Sequence, residues 1–246
     1  MTNSPFSSSA KTLANLLFLL STALVIGMYV LFLLKSPLYY RLSTEDGVVE
    51  NLTAIMLLAT SLLCALRAYS APTRLVTFLY AGASLLFFFG AGEEISWGQR
   101  ILGFSTPESM QSVNFQQETT IHNLTLWGFD WNRVIFGTGL YAAVISFYLL
   151  GPLLYSRHAG FRRLANRLQA PIPYWQQSVA YFALFLLYHT IPRYNSAWEI
   201  QEFLLSAYLF ISFLYPRNAV AQLRPASQTI PAPAEAAPSL RQQSCS

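Results

Sequence analysis

Apolar runs of about 18 residues recur six times along the chain, and a run of that length crosses a hydrocarbon core of about 30 Å as a helix. Six such runs consume roughly 120 of the 246 residues at about 20 each and leave little for a separate soluble domain. Charge agrees: 11% of residues are charged and 54% hydrophobic, against about 25% charged in a soluble domain. The fold class expected is all-α, a polytopic membrane helical bundle. A formal charge of +4 in such a chain reflects topology rather than nucleic-acid binding, so no nucleic acid is expected as a partner. The two cysteines, Cys64 and Cys245, form neither a disulfide framework nor a metal motif.

The spans read as 13–34, 50–67, 75–92, 134–155, 175–191 and 198–215. Before them lies a polar segment, 1–12; after them a disordered Ala/Pro/Gln-rich tail, 217–246, unable to bury a core. The first run exceeds a signal-peptide core and lacks a clear cleavage site, so it reads as a retained helix. Proline residues, Pro152 among them, fall near the ends of the runs, where a missing N–H costs least. Arg157, Arg162, Arg163 and Arg167 between spans four and five mark a cytoplasmic connection. Alternation then puts both termini inside, with ten of the fifteen basic residues. Ten of the eleven acids fall at the outer ends. Acids contribute little to orientation, so their crowding points to a functional surface there.

Four segments carry the candidate chemistry: Thr44–Thr53 at the start of span two, Gly90–Arg100 leaving span three, the connection 101–132, and His189 to Glu202 around the fifth and sixth spans. Simple capping accounts for some of them. Ser196-x-x-Glu199 and Ser43-x-x-Asp46 both read as capping boxes, whereas Glu50 and Glu202 sit too deep to cap. Glu93 and Glu94 end an apolar run, where carboxylates are costly unless paired, protonated or bound to a cation. Trp97 shares a helical face with either acid. Their alternative role is an ion network with Arg100 or Arg193. Gly90 and Gly92 allow either a close helix approach or a helix break. Trp198 reads as part of an interfacial aromatic belt.

The strings Glu45-Asp-Gly-x-x-Glu50, Gly92-Glu-Glu-Ile-Ser-Trp-Gly-Gln-Arg100, Glu118 with His122-Asn-Leu124, and Glu199-x-x-Glu202 resemble an uncharacterised family of bacterial multi-pass membrane proteins. The resemblance covers about residues 40 to 215. It implies a bacterial inner-membrane location and a site, but no reaction. A fainter similarity is to the alkaline-ceramidase-like membrane hydrolases, which carry acidic residues and a His-based zinc site; their closely spaced His pair is absent here.

The leading expectation is a membrane enzyme, a hydrolase or transferase, acting on a lipid or lipid-linked substrate. Glu93, Glu94, Glu50, Glu202, Arg100 and Arg193 are its candidate catalytic residues. His122, His189, Glu118 and Glu199 are candidate ligands of a divalent metal, zinc first, since imidazole and carboxylate are the donors such ions accept. The metal would activate water, a Glu would act as base, and an arginine would meet a phosphate or oxyanion. Each single Gln variant at Glu93 or Glu94 is expected to fold normally and lose function. The alternatives are a proton- or cation-coupled transporter, and an assembly scaffold whose loop 101–132 docks a periplasmic partner. Ser96 could serve as a nucleophile only with His122 or His189 beside it.

Overall fold

A computed structural model describes residues 8–44, 46–112, 114, 119–121, 125–126, 129–130, 139–191 and 196–222. Glu45, Glu118, His122, Arg193 and the tail from 223 lie outside the described residues, as does the side chain of Arg100.

The apolar runs become helices where their composition requires it. They are α1 (Ser8–Leu33), the short α2 (Pro37–Ser43), α3 (Val48–Tyr69) and α4 (Arg74–Glu94). A 3₁₀ turn (Ser96–Gly98), α5 (Gln99–Leu102) and α6 (Glu108–Gln111) follow. Within the outer connection, β1 (Thr125–Leu126) pairs antiparallel with β2 (Phe129–Asp130), Thr125 opposite Asp130. The fourth span is composite: α7 (Leu140–Ile145), a π-helical turn (Ser146–Leu150) and α8 (Gly151–Arg157). Then come α9 (Ala159–Arg167), α10 (Trp175–His189), α11 (Ala197–Leu214) and α12 (Ala219–Gln222).

Among the described residues, five helices are long and apolar enough to cross a membrane, which makes this an all-α multi-pass membrane bundle. The expected fifth span is shorter than read: α10 has 15 residues, about 22 Å at 1.5 Å per residue. Leu85, Phe78, Leu62 and Leu19 are among many large apolar side chains that face outward. Water would penalise that surface, and lipid does not. Pro152 is not at the end of its span. It opens α8 directly after the π turn, where the altered hydrogen-bond register removes the need for its missing donor.

Helix α11 is the centre of the bundle. Ile200, Leu204, Tyr208 and Ile211 along it are all but inaccessible, and α1, α3 and α10 pack around it. Because lipid removes most hydrophobic drive between spans, polar contacts fix their pairing. Ser61 Oγ donates to the Ser84 carbonyl at 2.8 Å, and Ser84 Oγ donates to the Ser61 carbonyl at 2.9 Å, locking α3 to α4. Tyr188 donates to the Val25 carbonyl at 2.7 Å, and Tyr208 lies 2.7 Å from the Thr22 hydroxyl, binding α1 to α10 and α11. At the arginine-bearing end, the buried Arg67 donates to the Tyr80 hydroxyl at 3.0 Å and to the Phe213 carbonyl. Tyr80 in turn donates to the Gln169 carbonyl at 2.6 Å. Asn218 closes that end by bonding Ile172, Asn166 and Ala170.

Interhelical hydrogen bonds in membranes average about 0.6 kcal/mol each. The Ser61→Ala/Ser84→Ala double variant should therefore lose about 1 kcal/mol of stability, read as a lowered thermal midpoint in bilayer discs, with the fold retained.

Candidate functional site

The acid-bearing ends of α3, α4, α10 and α11, together with α7, enclose a cavity of about 480 Å³. Glu50, Glu93, Glu94, Glu199 and Glu202 all line it. The remaining wall is mainly apolar, with Leu57, Phe87, Phe185, Leu205 and Leu209 prominent. No basic side chain lines it among the described residues. Five sequence candidates therefore meet in one place, brought there from three helices.

The five carboxylates do different things. Glu93 is 4% exposed and both its oxygens are engaged. Oε1 accepts from Trp97 Nε1 at 2.7 Å, and Oε2 accepts from the Ile121 backbone N–H at 2.6 Å. The first bond confirms that Trp97 lies beside one of the acids. Reaching it requires a left-handed stretch, Ser96 (φ 48°), Trp97 (φ 55°) and Gly98 (φ 77°), a conformation that costs a non-glycine residue about 1–2 kcal/mol. The Trp97 ring then lies on Gly92, where an added Cβ would sit 2.9 Å from ring carbons. Gly92 is thus neither a helix break nor a helix-packing site; α4 runs through to Glu94, and the glycine makes room for the indole. The connection is held again at Gln99, whose Oε1 accepts from Thr119 N–H at 2.9 Å, and Asn114 donates to the Thr120 carbonyl at 2.8 Å.

Glu50 stands in the first turn of α3 and accepts from the Asp46 backbone N–H. The reading that Glu50 lies too deep to cap is corrected: its side chain reaches back to the free N–H groups that precede the helix. The expected Ser43-x-x-Asp46 box does not form, because Ser43 ends α2 and donates to the Tyr39 carbonyl at 2.9 Å, while Gly47 is the N-cap of α3. Nor does Ser196 cap α11; its φ is 54° and it makes no side-chain cap bond. Glu199 is left to line the cavity.

Glu202 lies one turn beyond Trp198 on α11, and both line the cavity. Trp198 is 42% exposed, so it is a boundary aromatic at the cavity wall. Glu94 lies close enough to Glu50, Glu93 and Glu199 to feel their charge. Among the described residues, Glu94 accepts no hydrogen bond. The adjacent pair is therefore functionally split: Glu93 holds the outer connection, and Glu94 faces the cavity.

His189 is not brought to these acids. It occupies the last turn of α10, exposed, with its ring stacked on Phe185 at 5.6 Å. Among the described residues no three His, Cys, Asp or Glu side chains converge as a metal site. His122 and Glu118, the other expected ligands, and Arg193 lie outside the described residues. Sequence reasoning missed the aromatic wall, Tyr141, Tyr181 and Phe185. The spacing of 181 and 185 on one helical face was the available signal.

Comparison with family models, curated proteins and solved structures finds no match to the chain.

Replacing Glu93 with Gln puts an amide N–H₂ against one of two N–H donors, leaving that donor unsatisfied at about 1–3 kcal/mol. The Glu93→Gln variant should lose stability, and hydrogen exchange at Ile121 should quicken. Glu94→Gln should leave both unchanged. Equal exchange rates at Ile121 in the two variants would contradict the split.

Proposed function

We propose that this chain is an integral membrane enzyme, a hydrolase or transferase, for a lipid or lipid-linked substrate bearing a cationic head, such as an amine. One observation carries the reading: five carboxylates share a mainly apolar cavity whose described wall contains no basic side chain. Buried carboxylates need compensating positive charge or hydrogen-bond donors. An ammonium head supplies both. The alkyl portion of the substrate lies along Leu57, Leu205 and Leu209. Glu94, without a hydrogen bond from the described residues, is the group suited to take a proton from a nucleophile or give one to a leaving group. Glu202, beside Trp198 in the cavity wall, positions the head.

A metal-assisted form of the same reading would add His122 and Glu118 as donors and would supply activated water. An all-carboxylate wall alone favours a hard ion such as magnesium or manganese over zinc. The reading carries with it a bacterial inner-membrane location, which the resemblance of the Gly92–Arg100 string supports; that string builds one rim of the cavity.

The test uses three probes with one chain and different heads: hexadecylamine, hexadecanol and hexadecyl sulfate. A ligand that binds only the folded state raises the melting temperature by mass action. Hexadecylamine should raise the midpoint of the protein in bilayer discs, and the alcohol and sulfate should not. Glu94→Gln and Glu202→Gln should each shrink the rise. Stabilisation by the sulfate equal to that by the amine would overturn the reading. Chemistry is then sought as mass changes in a lipid extract, present with wild type and lost with Glu94→Gln.

A further inference from the structure

The cavity is not closed by helix packing on every side. Leu86 and Phe89 of α4 and Leu140 of α7 line it, yet Leu86 is 66% exposed and Leu140 39%. Side chains that line a cavity and also face outward mark an opening. This one lies between two helices that belong to membrane-crossing spans, so the medium outside it is hydrocarbon. Among the described residues α7 makes no extended packing with α4. It packs on the bundle through Val144, buried in the core, and through the edge-on contact of Tyr141 with Phe185, ring centroids 5.6 Å apart.

The span containing α7 is divided. Its π turn, Ser146–Leu150, is followed by Gly151, whose N–H reaches back five residues to the Ser146 carbonyl, and by Pro152, which has no N–H. Such turns interrupt the regular ladder and commonly mark functional positions in helices. The span is anchored at the turn and beyond it. Tyr148 is fully buried and stacks on Tyr181 at 4.7 Å with the rings 6° from parallel. Tyr155 donates to Asn166 Oδ1 at 3.1 Å. The turn and the half beyond it are thus anchored, and the half that walls the cavity packs through Val144 in the core and through Tyr141.

We propose that the gap between α4 and α7 is a lateral portal through which the alkyl chain of a bilayer amphiphile enters the acid cavity. The proposal rests on the lipid-like substrate argued above and adds its route. The chemistry of the path fits: the portal is apolar, and the acids lie past it, toward the head-group level. A molecule already dissolved in the bilayer keeps its chain in an apolar medium along the whole path, so no apolar area is returned to water.

The test cross-links the portal. In a Cys245→Ser background, where Cys64 is buried, Leu86→Cys/Leu140→Cys is bridged with bis-methanethiosulfonate linkers of graded length. Both positions are exposed, so neither change disturbs packing. The probe is hexadecylamine with a diazirine near its chain end, added to bilayer discs, photolysed and mapped by peptide mass spectrometry. Unbridged protein should be labelled at Leu205 and Leu209. Bridging should cut that labelling several-fold, reductant should restore it, and labelling at the outward-facing Leu85 should not change. Equal cavity labelling in bridged and reduced protein overturns the portal and leaves the substrate reading standing. Labelling at Leu85 without cavity labelling in either state overturns both. Failure of every linker to join two cysteines that each react with a monofunctional thiosulfonate also overturns the portal.

Discussion

Carboxylates set against an apolar, membrane-level wall must each find a counterpart, and the acid-bearing end of this bundle is organised around that demand. The cost of isolated charge in such a place is several kcal/mol, comparable with the whole stability of a domain. Glu93 meets it with an indole N–H and a backbone N–H. Glu50 meets it with the Asp46 N–H. These solutions dictate neighbouring structure. The left-handed turn at Ser96–Gly98 exists to aim Trp97, and Gly92 exists to admit its ring. The outer connection is tied down at Ile121 because Glu93 requires a second donor. Glu94 faces the cavity without a hydrogen bond from the described residues, which is why the functional reading centres on it.

The opposite end shows the same constraint with the sign reversed. Arg67 is buried and spends its guanidinium on Tyr80 and the Phe213 carbonyl. Tyr80, Gln169 and Asn218 extend the network across α4, the connection after α9, and the C-terminal end of α11. That end is closed by a hydrogen-bonded network. The acid-bearing end is open, with a cavity in place of a closed network, and the Ser61–Ser84 lock lies between them.

Much of this was legible in the sequence, and the limits have physical reasons. Apolar length gave the helices directly, because only helices satisfy the backbone within lipid while remaining one chain segment. The clustering of Glu50, Glu93, Glu94, Glu199 and Glu202 followed from topology, since alternate span ends share a membrane face. Hydrogen-bond direction did not follow. Whether Glu50 reaches backward to Asp46 or forward into a cavity depends on where α3 starts, and that is set by the turn at Gly47. His189 shares a face with Phe185 by spacing, yet α10 ends at once, so the histidine sits exposed on the final turn. The π turn was hidden because Pro152 near a span end reads as a helix stop rather than as a change of register.

The most direct measurement of the central claim is a density map of the protein in lipid discs at a resolution that shows side chains around the cavity. The account predicts elongated density along Leu57, Leu205 and Leu209, ending in a head group beside Glu94 and Glu202. A cavity filled instead by the guanidinium of Arg100 or Arg193, ion-paired to those acids and leaving no room for a ligand, would contradict it.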